Sequence, residues 1–340
     1  MNINDLYPWS FDAWQRISSM KSRFPHAVLL HGRAGIGKIA FAESLAASLL
    51  CEAPQVDGLA CGQCLSCGWL TQGNHPDFRV ITPGDKEDKD SKAEEGDEAG
   101  EPASKAKKSH IVVDQIRALS EMVGLSSHRQ GSRIVLLHPA ETLNLAAANA
   151  LLKMLEEPPP DTIFILVSHQ SQRLLPTIRS RCHKIAMKMP TIEEARGWLT
   201  EQGVKDASYC LAQAGGSPLL AFEANDAIAQ ADAEVFTREL TKADKADVFA
   251  ASAHWGKAGL LTAVSLLQKW TYDVLSARFY GIVRYYPQQV KALKSISQKI
   301  DMRRLLDFQR DLNEARGQAS HPLNAELQLE ALMLKYTQLF

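Results

Sequence analysis

The stretch H-G-R-A-G-I-G-K-I, residues 31–39, decides how the rest of the chain reads. It follows the phosphate-loop spacing G-x-x-x-x-G-K-[ST], with Gly32, Gly37 and Lys38 in register and Gly35 between them. The apolar run Ala27-Val28-Leu29-Leu30 leads into it as a buried strand would, and a leucine- and alanine-rich helical pattern follows at once. Strand, glycine-rich loop and helix are the context such a loop requires. Glycines let backbone N–H groups turn inward on a phosphate, and the helix N-terminus adds its dipole. The final position breaks the pattern. Ile39 stands where a Ser or Thr hydroxyl would ligate Mg²⁺, and an isoleucine cannot hold a hydrated cation.

Working outward, the chain alternates strand and helix signals. Residues 77–81, 133–137 and 162–167 read as further buried strands. A strand alternating Ile185, Met187 and Met189 follows, and Pro190 ends it. The helix starting at Leu145 is alanine-rich and is stopped by Pro158-Pro159-Pro160. The third strand runs into His138-Pro139-Ala140-Glu141, where a P-loop ATPase carries an Asp-Glu pair for Mg²⁺ and the attacking water. Glu141 is displaced along the chain, so a second metal-handling element is missing. Ahead of the first strand, Phe11, Trp14 and Ile17 recur at helical spacing and read as core packing.

Four of the six cysteines, Cys51, Cys61, Cys64 and Cys67, form the pattern C-x9-C-x2-C-x2-C. Four soft thiolates closing a tetrahedron suit a structural zinc and leave no open position for catalysis. Residues 59–69 contain no Lys or Arg, which argues against a zinc-dependent DNA-binding module. Residues 83–109 are nearly all Asp, Glu, Lys, Gly, Ser and Ala and read as a solvated, disordered insert.

The capping box Thr191-x-x-Glu194 opens a small helical region, broken at Gly215-Gly216-Ser217-Pro218. From about residue 229 the pattern is helical throughout. The expected architecture is an α/β P-loop domain with a parallel sheet over residues 1–185. It carries the zinc module at 51–67 and the insert at 83–109. A helical lid over 186–228 and an all-α bundle over 229–340 follow. Across 340 residues the net charge is −1, so no global basic field points to nucleic acid as the main ligand. No run of residues is apolar for long enough to span a membrane. The start of the chain lacks the pattern of a signal peptide, and the expected compartment is the cytoplasm.

With these elements placed, the chain resembles the AAA+ clamp-loader subunits of bacterial DNA polymerase III over nearly its whole length. The resemblance rests on three features. They are the cysteine module after the P-loop helix, the run from Ala146 to Lys153 that continues into Leu155-Glu156-Glu157-Pro158-Pro159, and Ser180-Arg181-Cys182. In that family the Ser-Arg-Cys arginine reaches the γ-phosphate of ATP on a neighbouring subunit. The resemblance therefore implies a trans arginine finger at Arg181, flanked by Ser180 and Cys182, with Arg179 the weaker candidate. A planar cation there stabilises charge developing on the transferred phosphoryl.

The resemblance also implies partners: ATPase subunits of the gamma/tau type and a delta subunit in a hetero-pentameric ring. The sliding clamp and primed DNA would be reached through the assembled complex, and no membrane is involved. An active motor of this family carries the P-loop hydroxyl, the Asp-Glu pair and an arginine near Gly-Ser in its lid. This chain has Ile39, His138-Pro139 and Gly216-Ser217-Pro218-Leu219 instead. The expectation is a stator-type subunit with no ATPase or polymerase activity of its own. Gly32, Gly35, Gly37 and Lys38 could still hold a nucleotide's phosphates without Mg²⁺, more weakly, so ATP binding stays open. The competing expectation is an active gamma/tau-type ATPase in which Glu141 takes over metal and water positioning.

Overall fold

A computed structural model describes residues 3–20, 23–84, 110–124, 131–225, 227–256, 259–318 and 324–340. The chain divides into two compact units, residues 1–190 and 191–340. Residues 85–109 of the expected insert lie outside the described residues.

The first unit is built on five parallel strands in the order β2-β3-β4-β1-β5. These are β1 (Ala27–His31), β2 (Phe78–Ile81), β3 (Arg133–Leu137), β4 (Thr162–Ser168) and β5 (His183–Ala186). Helix α1 (Phe11–Ser18) precedes β1, and α2 (Lys38–Leu50), α3 (Leu65–Gln72), α4 (Val113–Gly124), α5 (Leu145–Glu156) and α6 (Pro176–Arg181) lie between the strands. All five residues of β3 and all seven of β4 are buried. That explains their unbroken apolar runs, because a parallel sheet covered by helices has no wet face. Successive side chains of β1 divide between two cores. Ala27 and Leu29 join Leu119, Leu151, Leu155 and Ile178 of α4, α5 and α6. Val28 and Leu30 join Trp14 and Ile17 of α1 and Phe41 and Leu45 of α2.

Two local expectations need correction. Phe11 opens α1 and stays about half exposed, while Trp14 and Ile17 are buried as their spacing implies. The last strand ends at Ala186, because its one neighbour among the described residues, β1, ends at His31 and the pair His31–Ala186 closes the register. Met187 N–H still donates to the His31 carbonyl at 2.8 Å before the chain leaves the sheet.

The second unit is helical. It begins with α7 (Ile192–Glu201), α8 (Ala207–Gln213) and α9 (Pro218–Glu223), which share a small core of Ala195, Leu199, Cys210, Leu211 and Ala221. The capping box at the start of α7 forms, with Thr191 and Glu194 each satisfying the other's backbone N–H. Six further helices follow: α10 (Ala227–Thr241), α11 (Val248–Gly256), α12 (Leu260–Tyr280), α13 (Val290–Lys299), α14 (Met302–Gln318) and α15 (Ala325–Thr337). They pack around Trp270, Phe236, Tyr286 and Tyr336. Trp270 Nε1 donates to the Tyr336 hydroxyl at 2.9 Å, and that hydroxyl donates to the Leu240 carbonyl at 2.9 Å. Asp273 is fully buried and accepts N–H bonds from Arg284, Tyr285 and Tyr286, which fixes the turn after α12. The expected fold class is thus what the chain builds: a P-loop α/β unit with a cysteine module, followed by helices. No helix among the described residues is long and apolar enough to cross a membrane.

Candidate functional site

In an open parallel sheet, ligands bind outside the carboxyl ends of the strands. Here those ends carry the phosphate loop after β1, His138 and Glu141 after β3, and His169 after β4. Gly32, Gly35 and Gly37 all have positive φ, as a loop that turns its N–H groups inward requires. Lys38, the first residue of α2, is 2% exposed. Its ammonium donates to the Gly32 carbonyl at 2.8 Å and to the Arg33 carbonyl. Burial pushes its pKa down to about 8, against the pull of the Glu141 carboxylate.

The loop is also covered from outside. The Tyr7 ring lies on Gly37 so closely that a Cβ there would sit 2.2 Å from the ring. Tyr7 stacks on Trp9, with centroids 5.1 Å apart and planes 9° apart. Trp9 Nε1 donates to the Ile36 carbonyl at 3.0 Å. Ile39 turns toward the apolar cluster of β1 and α2 instead of offering a ligand. Gly37→Ala is therefore expected to destabilise the first unit by about 1–3 kcal/mol, through a strained φ of +84° and a clash with Tyr7. Urea unfolding followed by tryptophan fluorescence measures this.

Beside the loop, Glu141 Oε1 accepts the His169 N–H at 3.0 Å and so ties the end of β3 to the end of β4. Burial lowers the pKa of His169, and Lys38 lowers it further. This corner of the sheet holds Lys38, Glu141 and His169 in electrostatic contact with one another. The sequence shows Glu141 as a displaced acid, or as a stand-in for metal and water positioning in the competing ATPase reading, and does not reveal His169, Tyr7 or Trp9 as neighbours of the loop.

The four cysteines come together as their spacing implies. Cys51 follows the last residue of α2, Cys61 and Cys64 lie in the loop beyond, and Cys67 sits in the first turn of α3. Their sulfurs are 3.9 Å apart for Cys51–Cys64, 3.9 Å for Cys61–Cys67 and 3.7 Å for Cys51–Cys67. A tetrahedral ion with metal–sulfur bonds of about 2.3 Å requires sulfurs about 3.8 Å apart. Disulfides are excluded at these separations. Backbone N–H groups of Gln63 and Cys64 point at the Cys61 sulfur and hold its pKa down to about 6. A cluster so arranged could hold a metal ion through four thiolates.

This module is joined to the chain that covers the phosphate loop. Asn4 makes a two-way bond with Ala60, donating from Nδ2 at 2.9 Å and accepting at Oδ1 at 3.2 Å. Trp14 Nε1 donates to the Asp57 carbonyl at 3.1 Å, and Ile3 packs on the cysteine cluster.

Away from the loop, Arg181 ends α6 with its side chain about one-third exposed. Its Nη2 meets Glu156 Oε1 at 2.7 Å, and its Nη1 donates to the Thr177 carbonyl at 3.1 Å and to Ser180 Oγ at 3.4 Å. Ser180 is exposed and donates to the same Thr177 carbonyl at 2.9 Å. Cys182 is buried in the core beneath α5 and α6, and burial pushes its thiol up to about 11. It is thus placed as a packing residue, beside an arginine that faces outward.

The sequence profile of a family described as "DNA polymerase III, delta subunit" matches residues 11–191. Proteins named DNA polymerase III subunit delta' are similar in sequence. That of Pseudomonas aeruginosa is 42% identical over 64% of this chain and 60% of its own length. That of Haemophilus influenzae is 35% identical over 64% and 61%, and that of Escherichia coli 32% over 62% and 58%. The alignments thus span about 60% of those relatives. Among solved structures, a DNA polymerase III gamma subunit-related protein of Thermotoga maritima is 17% identical with a TM-score of 0.47, over 97% of this chain and 99% of that one. Matched by the profile over more than half of its 340 residues, and similar to several proteins named subunit delta', the chain belongs to the DNA polymerase III delta' subunit family.

Proposed function

We propose that this chain is the non-hydrolysing, stator-type subunit of a replicative clamp loader in the cytoplasm, and that Arg181 serves as an arginine finger for ATP on a neighbouring subunit. The observation that carries this reading is a contrast within one unit. The phosphate loop is filled by its own chain, with Lys38 bonded to loop carbonyls and the Tyr7 ring on Gly37. Arg181 stands part-exposed at the end of α6. A cation that faces outward can stabilise charge on a phosphoryl group held by another subunit. Ile39 and His138-Pro139 lack the hydroxyl and carboxylates that Mg²⁺ chemistry needs. In the assembly, ATPase subunits of the gamma/tau type and a delta subunit would complete a five-membered ring that opens a sliding clamp on primed DNA. Residues 186–228 would form its lid and residues 229–340 its collar. The ion held by Cys51, Cys61, Cys64 and Cys67 is zinc in this reading, chosen for soft ligands and a closed tetrahedral shell.

The test is turnover by the purified chain. With Mg²⁺-ATP it is expected to release no phosphate above background. Ile39→Thr is expected to stay silent as well, because a new hydroxyl does not move Tyr7 or free Lys38. Hydrolysis by the lone chain overturns the reading in favour of an active ATPase.

A further inference from the structure

We infer that Glu156 is the positioning residue for Arg181: it holds the guanidinium in the orientation from which the finger acts. The inference rests on the arginine-finger reading and deepens it. Glu156 is the last residue of α5, and Glu157 and three prolines follow. A carboxylate at this end of a helix faces the negative pole of the backbone dipole, so helix formation alone does not favour an acid there. The position is explained by what it meets. Its Oε1 lies 2.7 Å from Arg181 Nη2, at the end of a different helix.

The geometry fixes a plane and not merely a charge. Nη2 is bound from α5, and Nη1 is bound to the Thr177 carbonyl and to Ser180 Oγ of α6. Three acceptors on two elements hold one guanidinium. Without Glu156 the polar contacts left to the side chain among the described residues are those to its own helix, and it samples the many rotamers open to a long arginine. A finger must arrive aligned with the equatorial oxygens of the transferred phosphoryl, so loss of alignment lowers turnover and leaves ground-state binding of ATP largely alone. Both partners are well exposed, at 35% and 50% of their side chains, so the pair is weak and screened by salt. The effect is therefore modest and falls as ionic strength rises.

The experiment uses the reconstituted clamp-loader complex and measures kcat and KM for ATP with Glu156→Gln, Glu156→Asp, Arg181→Ala and the Gln–Ala double variant. At low salt Glu156→Gln is expected to lower kcat by about two- to fivefold with KM unchanged. Glu156→Asp should recover part of that loss. The difference from wild type should vanish near 1 M salt, where the screening length is about 3 Å. The double variant should match Arg181→Ala. Wild-type kcat in Glu156→Gln, beside a clear loss in Arg181→Ala, overturns this inference and leaves the finger reading standing. Additive losses, a change confined to KM, or a fall in assembly or Tm that parallels the fall in kcat also overturn it. A harmless Arg181→Ala overturns the finger reading, and this inference with it.

Discussion

Arg181→Ala in the assembled complex is expected to slow hydrolysis by about 10³-fold or more at the ATP site facing this subunit, the lower end of the range for fingers acting in trans. Fold and assembly are expected to persist. The side chain is about one-third exposed, and among the described residues it is ion-paired with one carboxylate, which is half exposed. Such a pair contributes about 1 kcal/mol or less to stability, so Tm should hardly move. Arg181→Lys should fall nearly as far. An ammonium keeps the charge but loses the planar fork that can engage two phosphoryl oxygens while retaining a carboxylate. Single-turnover hydrolysis, with the other sites silenced by P-loop lysine variants, isolates the site concerned. Normal turnover in Arg181→Ala would show that the chain contributes shape to the ring and no catalytic charge. Cys182→Ser separates the two roles in the triplet. It replaces a thiol packed in the core and is expected to cost stability, with the finger left in place.

What the sequence made legible follows from what each feature depends on. β1, β3 and β4 were readable because both of their faces are buried, and continuous apolar runs report that directly. The cysteine cluster was readable because its geometry is set almost wholly by local spacing. Two overlapping C-x2-C turns leave their sulfurs little choice. Arg181 came into view through neighbouring residues that resemble a family motif. The contacts that qualify these features are long-range and carry no periodic signal. Tyr7 meets Gly37, and Trp9 meets the Ile36 carbonyl, only after α1 has packed against β1 and α2. Glu141 finds the His169 N–H across two strand ends, and Glu156 finds Arg181 across two helix ends. An acid at the close of a helix could have prompted a search for a cation. Nothing in the sequence says which one.

Removal of the metal is expected to give the largest loss of stability, and its consequence should spread beyond the cysteines. Four cysteine sulfurs within 4.8 Å of one another lose the ion that would hold them together, and a structural site supplies folding free energy directly. Chelation, or Cys67→Ser, should therefore melt the loop between α2 and α3 and free Ala60 and Asp57. Those residues hold Asn4 and Trp14, and the segment between these two carries Tyr7 and Trp9 onto the phosphate loop. Amide hydrogen exchange should then quicken in α1 and at the start of α2 as well as in the module, while α12 to α15 keep their protection. Elemental analysis of the untreated protein should give one zinc per chain. Asn4→Ala separates fastening from folding. It deletes both bonds to Ala60 without touching a cysteine, so the ion should remain while exchange near Trp9 still quickens. If the metal-free protein exchanges faster only within residues 51–72, the module supports itself alone. In that case the covering of the phosphate loop has another cause, and the stacking of Tyr7 on Trp9 is the first place to look.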